Sequence, residues 1–232
     1  MKSLISFFVA TVLAAMLSFP ASAGKKKDIV KTYPALAPYF SVPSGKTVSP
    51  DDQGFIRRWL LLEPIDKPNW TNTVFVDSYV RANLDTGWNK GEDFVVPADG
   101  EKACDSLTWH ALDSRLFNVK LYRYAVGTET GRYGLIFRAV TIIDCPEDMV
   151  DVRLAVGSNS ASMWWIDGEE ALILSGDRRM VMDDGASRRL TLRKGRHVIT
   201  GSVINGPGMS DFCVRFIDED GDPVLNYDIR CK

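Results

Sequence analysis

The chain has 232 residues, with 28 Lys and Arg against 30 Asp and Glu, a formal net charge of -2 and 45% hydrophobic residues. The two signs of charge are interspersed, so no basic face is offered to nucleic acid, and that class of partner is excluded. The length suffices for one large all-β domain or two small ones.

Residues 1–23, MKSLISFFVATVLAAMLSFPASA, carry a Lys near the start, an apolar run from Leu4 to Leu17, and Ala21 and Ala23 in an Ala-x-Ala arrangement. This is the pattern of a secretory signal peptide cleaved after Ala23. The apolar run falls short of the ~20 residues that a membrane span needs. A secreted protein, periplasmic or extracellular, is therefore expected, with no membrane span after removal of the signal. Lys25, Lys26 and Lys27 read as a solvated start to the mature chain. Residues 24–50, rich in Pro, Ser and aromatics, read as an extended lead-in on the surface, and residues 51–232 as one domain.

The run GFIRRWLLLEPI, ended by Pro64, has the pattern of a buried strand. TNTVFVDSYVRANLD is ambiguous between strand and helix, and a short helix bearing Phe75 and Tyr79 four apart is favoured. Trp88 follows on a loop between two glycines. From Leu107 onward the pattern is regular: LTWHAL, FNVKLYRYAV, YGLIFRAVTII, MVDVRLAVG, SMWWID, EALIL, RRMVMD, SRRLTLR, HVITGSVI, DFCVRFID and VLNYDI. Turn pairs such as Asp167-Gly168, Asp184-Gly185 and Lys194-Gly195 separate many of these short apolar runs. The fold class predicted is all-β, a jelly-roll β-sandwich with at most one or two short helices.

Four cysteines, Cys104, Cys145, Cys213 and Cys231, permit two disulfides in an exported chain. Sequence order pairs Cys213 with Cys231 and Cys104 with Cys145, although the sequence does not decide it. Their wide spacing does not suit zinc.

Trp164 and Trp165 stand side by side in SNSASMWWIDGEEALIL. Successive strand side chains point to opposite faces. With Ile166 inward, Trp164 goes inward with it, and Trp165 lies on the other face beside Met163. There it is either open to a ligand or packed under the lead-in or the Trp88 loop. Trp59, Trp109 and Trp164 are assigned to the core.

The block from LAVGSNSASMWWIDG through DFCVRFIDEDGDPV resembles the galactose-binding-like jelly-roll modules attached to bacterial polysaccharide-degrading enzymes. The upstream pieces GFIRRWLLLEPI, LTWHALDS and FNVKLYRYA resemble in particular the N-terminal accessory module of acetylxylan and feruloyl esterases of gut bacteria. The resemblance runs from about Gly54 to Asp228. Two departures concern the ligand: the modules' Trp-x-Asn-Gly is here Trp165-Ile166-Asp167-Gly168, and Asn159 and Ser160 replace the usual acidic pair of the glycine-serine loop. The hydrolase domain that follows the module in such esterases is not found before Lys232.

Catalytic residues are not expected. The histidines are His110 and His197, both inside predicted strands, and Gly157-Ser158-Asn159-Ser160 is followed by Ala161, so no nucleophile elbow is formed. Glu169-Glu170, Asp183-Asp184 and Glu147-Asp148 sit at predicted turns, where acidic residues serve solubility and local backbone bonding. Asp218, Asp220 and Asp222 read as a hairpin turn, with calcium as the minority alternative, and neither a metal site nor a cofactor is expected.

The function implied is a secreted, non-catalytic module that binds plant cell-wall polysaccharide or oligosaccharide of xylan type. Asn159, Trp165, Asp167, Arg178, Asn205 and Trp88 are the candidate ligand-binding residues, because a sugar site wants an aromatic plate flanked by amide, carboxylate or guanidinium groups. Two alternatives stand beside it. One is a structural or protein-docking domain that braces a catalytic esterase or glycoside hydrolase without touching sugar. The other is the accessory piece of an esterase whose catalytic part is encoded separately.

Overall fold

The computed structural model describes residues 28–91, 94–103 and 106–231. The signal segment and Cys104 lie outside them. Two antiparallel sheets make a β-sandwich, as the short apolar runs require.

The larger sheet is built around two long strands, β5 (Leu135–Cys145) and β11 (Gly195–Asn205), paired over their whole length from Asn205 opposite Leu135 to Gly195 opposite Cys145. Beyond β5 lie β2 (Arg58–Leu62), β4 (Trp109–Ser114) and β1 (Phe40–Ser41), with β3 (Ile65–Asp66) and β13 (Asp228–Arg230) also on β5. Beyond β11 lie β7 (Ala161–Ile166) and β8 (Glu169–Leu174). The smaller sheet orders β10 (Leu190–Leu192), β6 (Met149–Ser158) and β12 (Phe212–Ile217), with β9 (Gly185–Ala186) on β6.

The core between the sheets holds Trp59, Trp164 and Phe212 in mutual edge-on contact, with ring centres 5.1 to 6.0 Å apart. Each indole N–H finds an acceptor, Trp59 Nε1 on the Ile56 carbonyl and Trp164 Nε1 on Ser162 Oγ, which is what makes full burial of tryptophan tolerable. Gly201 stands opposite Trp164 in the ladder, and a Cβ there would lie 2.3 Å from the Trp164 ring. A side chain at that position and the indole exclude each other.

The outer face of the larger sheet is covered as well. Helix α2 (Asp77–Leu84), with Phe75 just before it, lays Val80 and Leu84 on Met163, Trp165 and Ile204. Further along, Trp88, Phe94 and Val96 lie over Leu60, Leu62, Trp109 and Val140. With both faces buried, β5 reads LIFRAVTII rather than as a clean alternation.

Several elements differ from expectation. FNVKLYRYAV is not a strand: Leu121–Gly127 forms helix α3, because Leu121, Tyr124 and Ala125 make an i, i+3, i+4 buried stripe. RRMVMD is an irregular segment instead of a strand; Val181 and Met182 are exposed, and ion pairs at Asp183 and Asp184 hold the segment. The segment read as a lead-in begins with α1 (Ile29–Thr32), capped by the Asp28 carboxylate, and sends Leu36 and Phe40 fully into the core. The described residues thus hold three short α-helices where at most two were expected. Both disulfide pairs are corrected: Cys145 and Cys213 are buried free thiols on different sheets, and burial pushes each pKa up to about 11.

Candidate functional site

Asn159 and Asp167 bracket β7 and so sit at opposite ends of the sandwich. At the end that carries Asn159, Asn205, the last residue of β11, organises the neighbouring loops. Its Oδ1 accepts from the Leu135 N–H at 2.8 Å, and its Nδ2 donates to Ser210 Oγ at 2.5 Å and to the Arg132 carbonyl at 3.3 Å. Its own carbonyl accepts from Asn69 Nδ2 at 3.4 Å. Asn205 is fully buried, so it cannot touch a ligand as proposed from sequence; it fixes the loops that can.

Asn159 and Arg178 are half-buried at the same end. The Asn159 N–H donates to the Asp211 carbonyl, and the Ser160 N–H to the Arg178 carbonyl. The Arg178 guanidinium is taken up by Asp184 at 2.6 Å, which leaves it a loop tie with its charge satisfied.

Trp165 is on the outer face, as strand parity requires, but wholly buried. It lies beneath α2 and meets Trp88 edge-on at 6.4 Å. It is therefore not a sugar plate: the helix supplies the apolar cover that makes this face interior. Trp88 is half-buried in the same cluster, with the Arg138 guanidinium 4.8 Å from its ring centre and Trp109 stacked at 6.2 Å. Beside them a cleft of about 430 Å³ is lined by Trp88, Trp109, Arg138, Lys90 and Glu101 among others.

Asp167 is at the far end, in the β7–β8 turn, with φ of 52°. Its carboxylate accepts from the Val198 N–H at 2.8 Å and sits 2.6 Å from His197 Nδ1, while His197 Nε2 lies 2.7 Å from the Arg193 carbonyl. With an acceptor at each ring nitrogen, the imidazolium is favoured. Burial pulls the His197 pKa down, but the bond to Asp167, the Arg193 carbonyl and the Asp167 charge outweigh it, and the pKa is raised above its ordinary 6.5. A raised folded-state pKa means stabilisation that is complete below pH 6.5 and lost as pH rises through the higher folded value. Urea unfolding on either side of pH 6.5 should show this decline in the wild type and not in His197→Gln.

At least one member of each acidic pair is tied to a neighbouring side chain. Glu170 holds Arg81 of α2, Asp183 and Asp184 hold Arg215 and Arg178, Asp148 holds Arg193, and Glu147 accepts from Asn226. Asp218 Oδ1 accepts from the N–H groups of Asp220 and Asp222, closing the hairpin turn. His110 meets Glu63 at 3.0 Å. Among the described residues neither histidine is hydrogen-bonded to a serine or cysteine, and no three His, Cys, Asp or Glu side chains are grouped to hold a metal.

The residue missed from sequence is Trp70. It is 92% exposed, on the loop between β3 and α2, at the end organised by Asn205. That loop is tightly held. Asn69 Nδ2 donates to the Lys67 carbonyl at 2.6 Å and its Oδ1 accepts from Tyr79 Oη at 2.6 Å, while Asn72 Nδ2 donates to Asp177 Oδ1 at 2.8 Å and to the Pro207 carbonyl at 3.1 Å. Gly134 packs against it so closely that a Cβ would lie 2.9 Å from Pro68 Cα. A large indole left in water on a fixed loop, near the exposed Asp177 that holds Asn72, has the plate and a carboxylate that a sugar-stacking site needs. The available signal was KPNWTN, a tryptophan outside any periodic run and set among turn residues.

No protein-family model matches the chain, and no curated protein does. Among solved structures it is similar to a PA14 sugar-binding domain from an RTX adhesin, at TM-score 0.41 and 9% identity, over 74% of this chain and 96% of that one. It is also similar to the PA14 domain of the antifreeze protein MpAFP, at TM-score 0.39 and 11% identity, over 79% and 96%. A third is a beta-glucosidase from Kluyveromyces marxianus, at TM-score 0.38 and 13% identity, where 76% of this chain covers 20% of the enzyme.

Proposed function

We propose that this chain is a secreted, non-catalytic carbohydrate-binding module, with Trp70 as the stacking plate, serving the degradation of plant cell-wall polysaccharide of xylan type. The observation that carries this reading is the 92% exposure of Trp70 on a loop held by side-chain hydrogen bonds. An isolated exposed aliphatic residue needs no explanation, but an exposed indole on a fixed loop leaves a large apolar face with no internal partner. Sugar rings stack on such faces, and the fixed loop lowers the ordering cost of binding. Export is supported by the leader at residues 1–23, and the link to esterases by the resemblance at Gly54 to Asp228.

Affinity electrophoresis of the mature chain against soluble xylans, glucans and mannans tests this. The wild type should be retarded by at least one glycan, and Trp70→Ala should weaken that binding about ten-fold or more, on the scale of ~1–3 kcal/mol by which loss of an aromatic plate weakens the stacking of a base. Its thermal midpoint should match the wild type, because an exposed side chain contributes little to folding. Absence of retardation by every glycan, or full binding by Trp70→Ala, rejects the reading. A protein-docking domain would then be favoured, on the exposed Val74 and Val76 that flank buried Phe75.

A further inference from the structure

Four residues form a continuous surface strip leading to the Trp70 end. The guanidinium of exposed Arg123 lies 5.3 Å from the Tyr39 ring centre and 5.9 Å from that of Tyr122, and the Tyr122 ring lies 6.2 Å from Tyr133, itself 52% exposed. The strip joins the loop end through the Tyr122 N–H, which donates to the Ser210 carbonyl, and through Gly134, packed on Pro68. Arg123 makes no close ion pair among the described residues: the Asp211 carboxylate feels its charge but is hydrogen-bonded to neighbouring Lys120 at 2.7 Å.

We propose that this strip is a second subsite that selects linear polysaccharide bearing carboxylate groups, that is, uronic acid substituents. The inference rests on the carbohydrate-binding reading of Trp70 and adds the ligand's charge. A guanidinium that lies against aromatic faces and has no close carboxylate partner retains N–H groups that can take a carboxylate bidentately. The flanking tyrosine rings supply apolar faces for the sugars on either side, with hydroxyl groups at their rims. Neutral chains gain the rings alone; acidic chains gain the fork as well.

The test compares a glucuronic-acid-substituted xylan with the same polymer after reduction of its carboxyl groups, by titration calorimetry on the full mature chain. Wild type should bind the acidic form about ten-fold tighter, in keeping with one charge-assisted hydrogen-bonded contact, and the preference should shrink with added salt. Arg123→Gln should bind both forms equally, and Arg123→Lys should retain only part of the preference, with unchanged thermal midpoints showing that both variants fold. Equal binding of the two polymers by wild type, with Trp70→Ala abolishing both, would overturn the subsite and leave the carbohydrate-binding reading standing. Undiminished preference in Arg123→Gln would also overturn it, and absence of binding to either polymer would overturn the subsite, while retardation by a glucan or mannan would keep the carbohydrate-binding reading.

Discussion

Replacing Trp165 by alanine should cost about 3–5 kcal/mol of folding stability, the range for truncating a fully buried aromatic side chain. In a domain of this size that corresponds to a fall in the thermal midpoint on the order of 10 °C. The expectation follows from what surrounds the ring. Val80 and Leu84 of α2 and Phe75 just before it cover the ring, Met163 and Ile204 flank it on the sheet, and Trp88 abuts it edge-on. Val80 and Leu84 can collapse into the space only if α2 moves, and Arg81 ties α2 to Glu170 of β8 through contacts of 2.5 and 2.9 Å. Trp165→Phe keeps most of the ring volume and should lose far less, about 1–2 kcal/mol. Indole Nε1 of Trp165 has no hydrogen-bond acceptor among the described residues, so the phenyl ring gives up no hydrogen bond. Urea unfolding of the two variants reads this directly. Glycan binding by folded Trp165→Phe should equal that of the wild type; a specific loss of binding there, at unchanged stability, would restore Trp165 as a contact residue.

The same residue shows how far the sequence could be read. Parity along SMWWID placed Trp164 between the sheets and Trp165 on the opposite face, and both placements hold. Parity is a local property of an extended chain, and two neighbours on a strand cannot escape it. Whether a face is wet depends on which distant segment folds over it, and here the cover comes from residues 75–88, far from β7 in sequence. The sandwich was legible because short apolar runs cut by turn pairs leave few other solutions. Helix α3 was not, because Leu121, Tyr124 and Ala125 are interleaved with Tyr122 and Val126, so a seven-residue helix reads as well by alternation as by helical spacing. Trp70 was overlooked for a related reason: a search for paired aromatics in strands passes over a single indole in a turn-rich loop.

Asn159, Arg178 and Asn205 were marked for their ligand chemistry, and the structure brings them to one end, where the side chains of Arg178 and Asn205 serve as scaffold and Asn159 is tied through its backbone N–H. Asn205→Ala should therefore be the most damaging substitution at that end, at roughly 3 kcal/mol. It strands the buried Leu135 N–H and removes the donor to Ser210 Oγ and the Arg132 carbonyl, and each buried polar group left unpaired costs about 1–3 kcal/mol. Because the Asn205 carbonyl also receives Asn69, the neighbour of Trp70, loosening β11 here should weaken glycan binding even under conditions where the variant remains folded. That separates it from Trp70→Ala, which should lose binding with no loss of stability. Asn205→Asp isolates the two halves of the amide. It keeps an acceptor for Leu135, and the Ser210 hydroxyl can turn to donate to it, but at neutral pH it sets a buried carboxylate against the Arg132 carbonyl, and no Lys or Arg side chain of the described residues is hydrogen-bonded at this position. Burial raises the folded-state pKa of such a carboxyl above its unfolded value, so its penalty should be smallest at low pH and grow as pH rises through the folded value. Alanine gains nothing from acid at this position. Denaturation of both variants at two pH values therefore distinguishes a missing donor from a buried charge, and equal stability of Asn205→Ala and wild type would show that the loops are held without this amide.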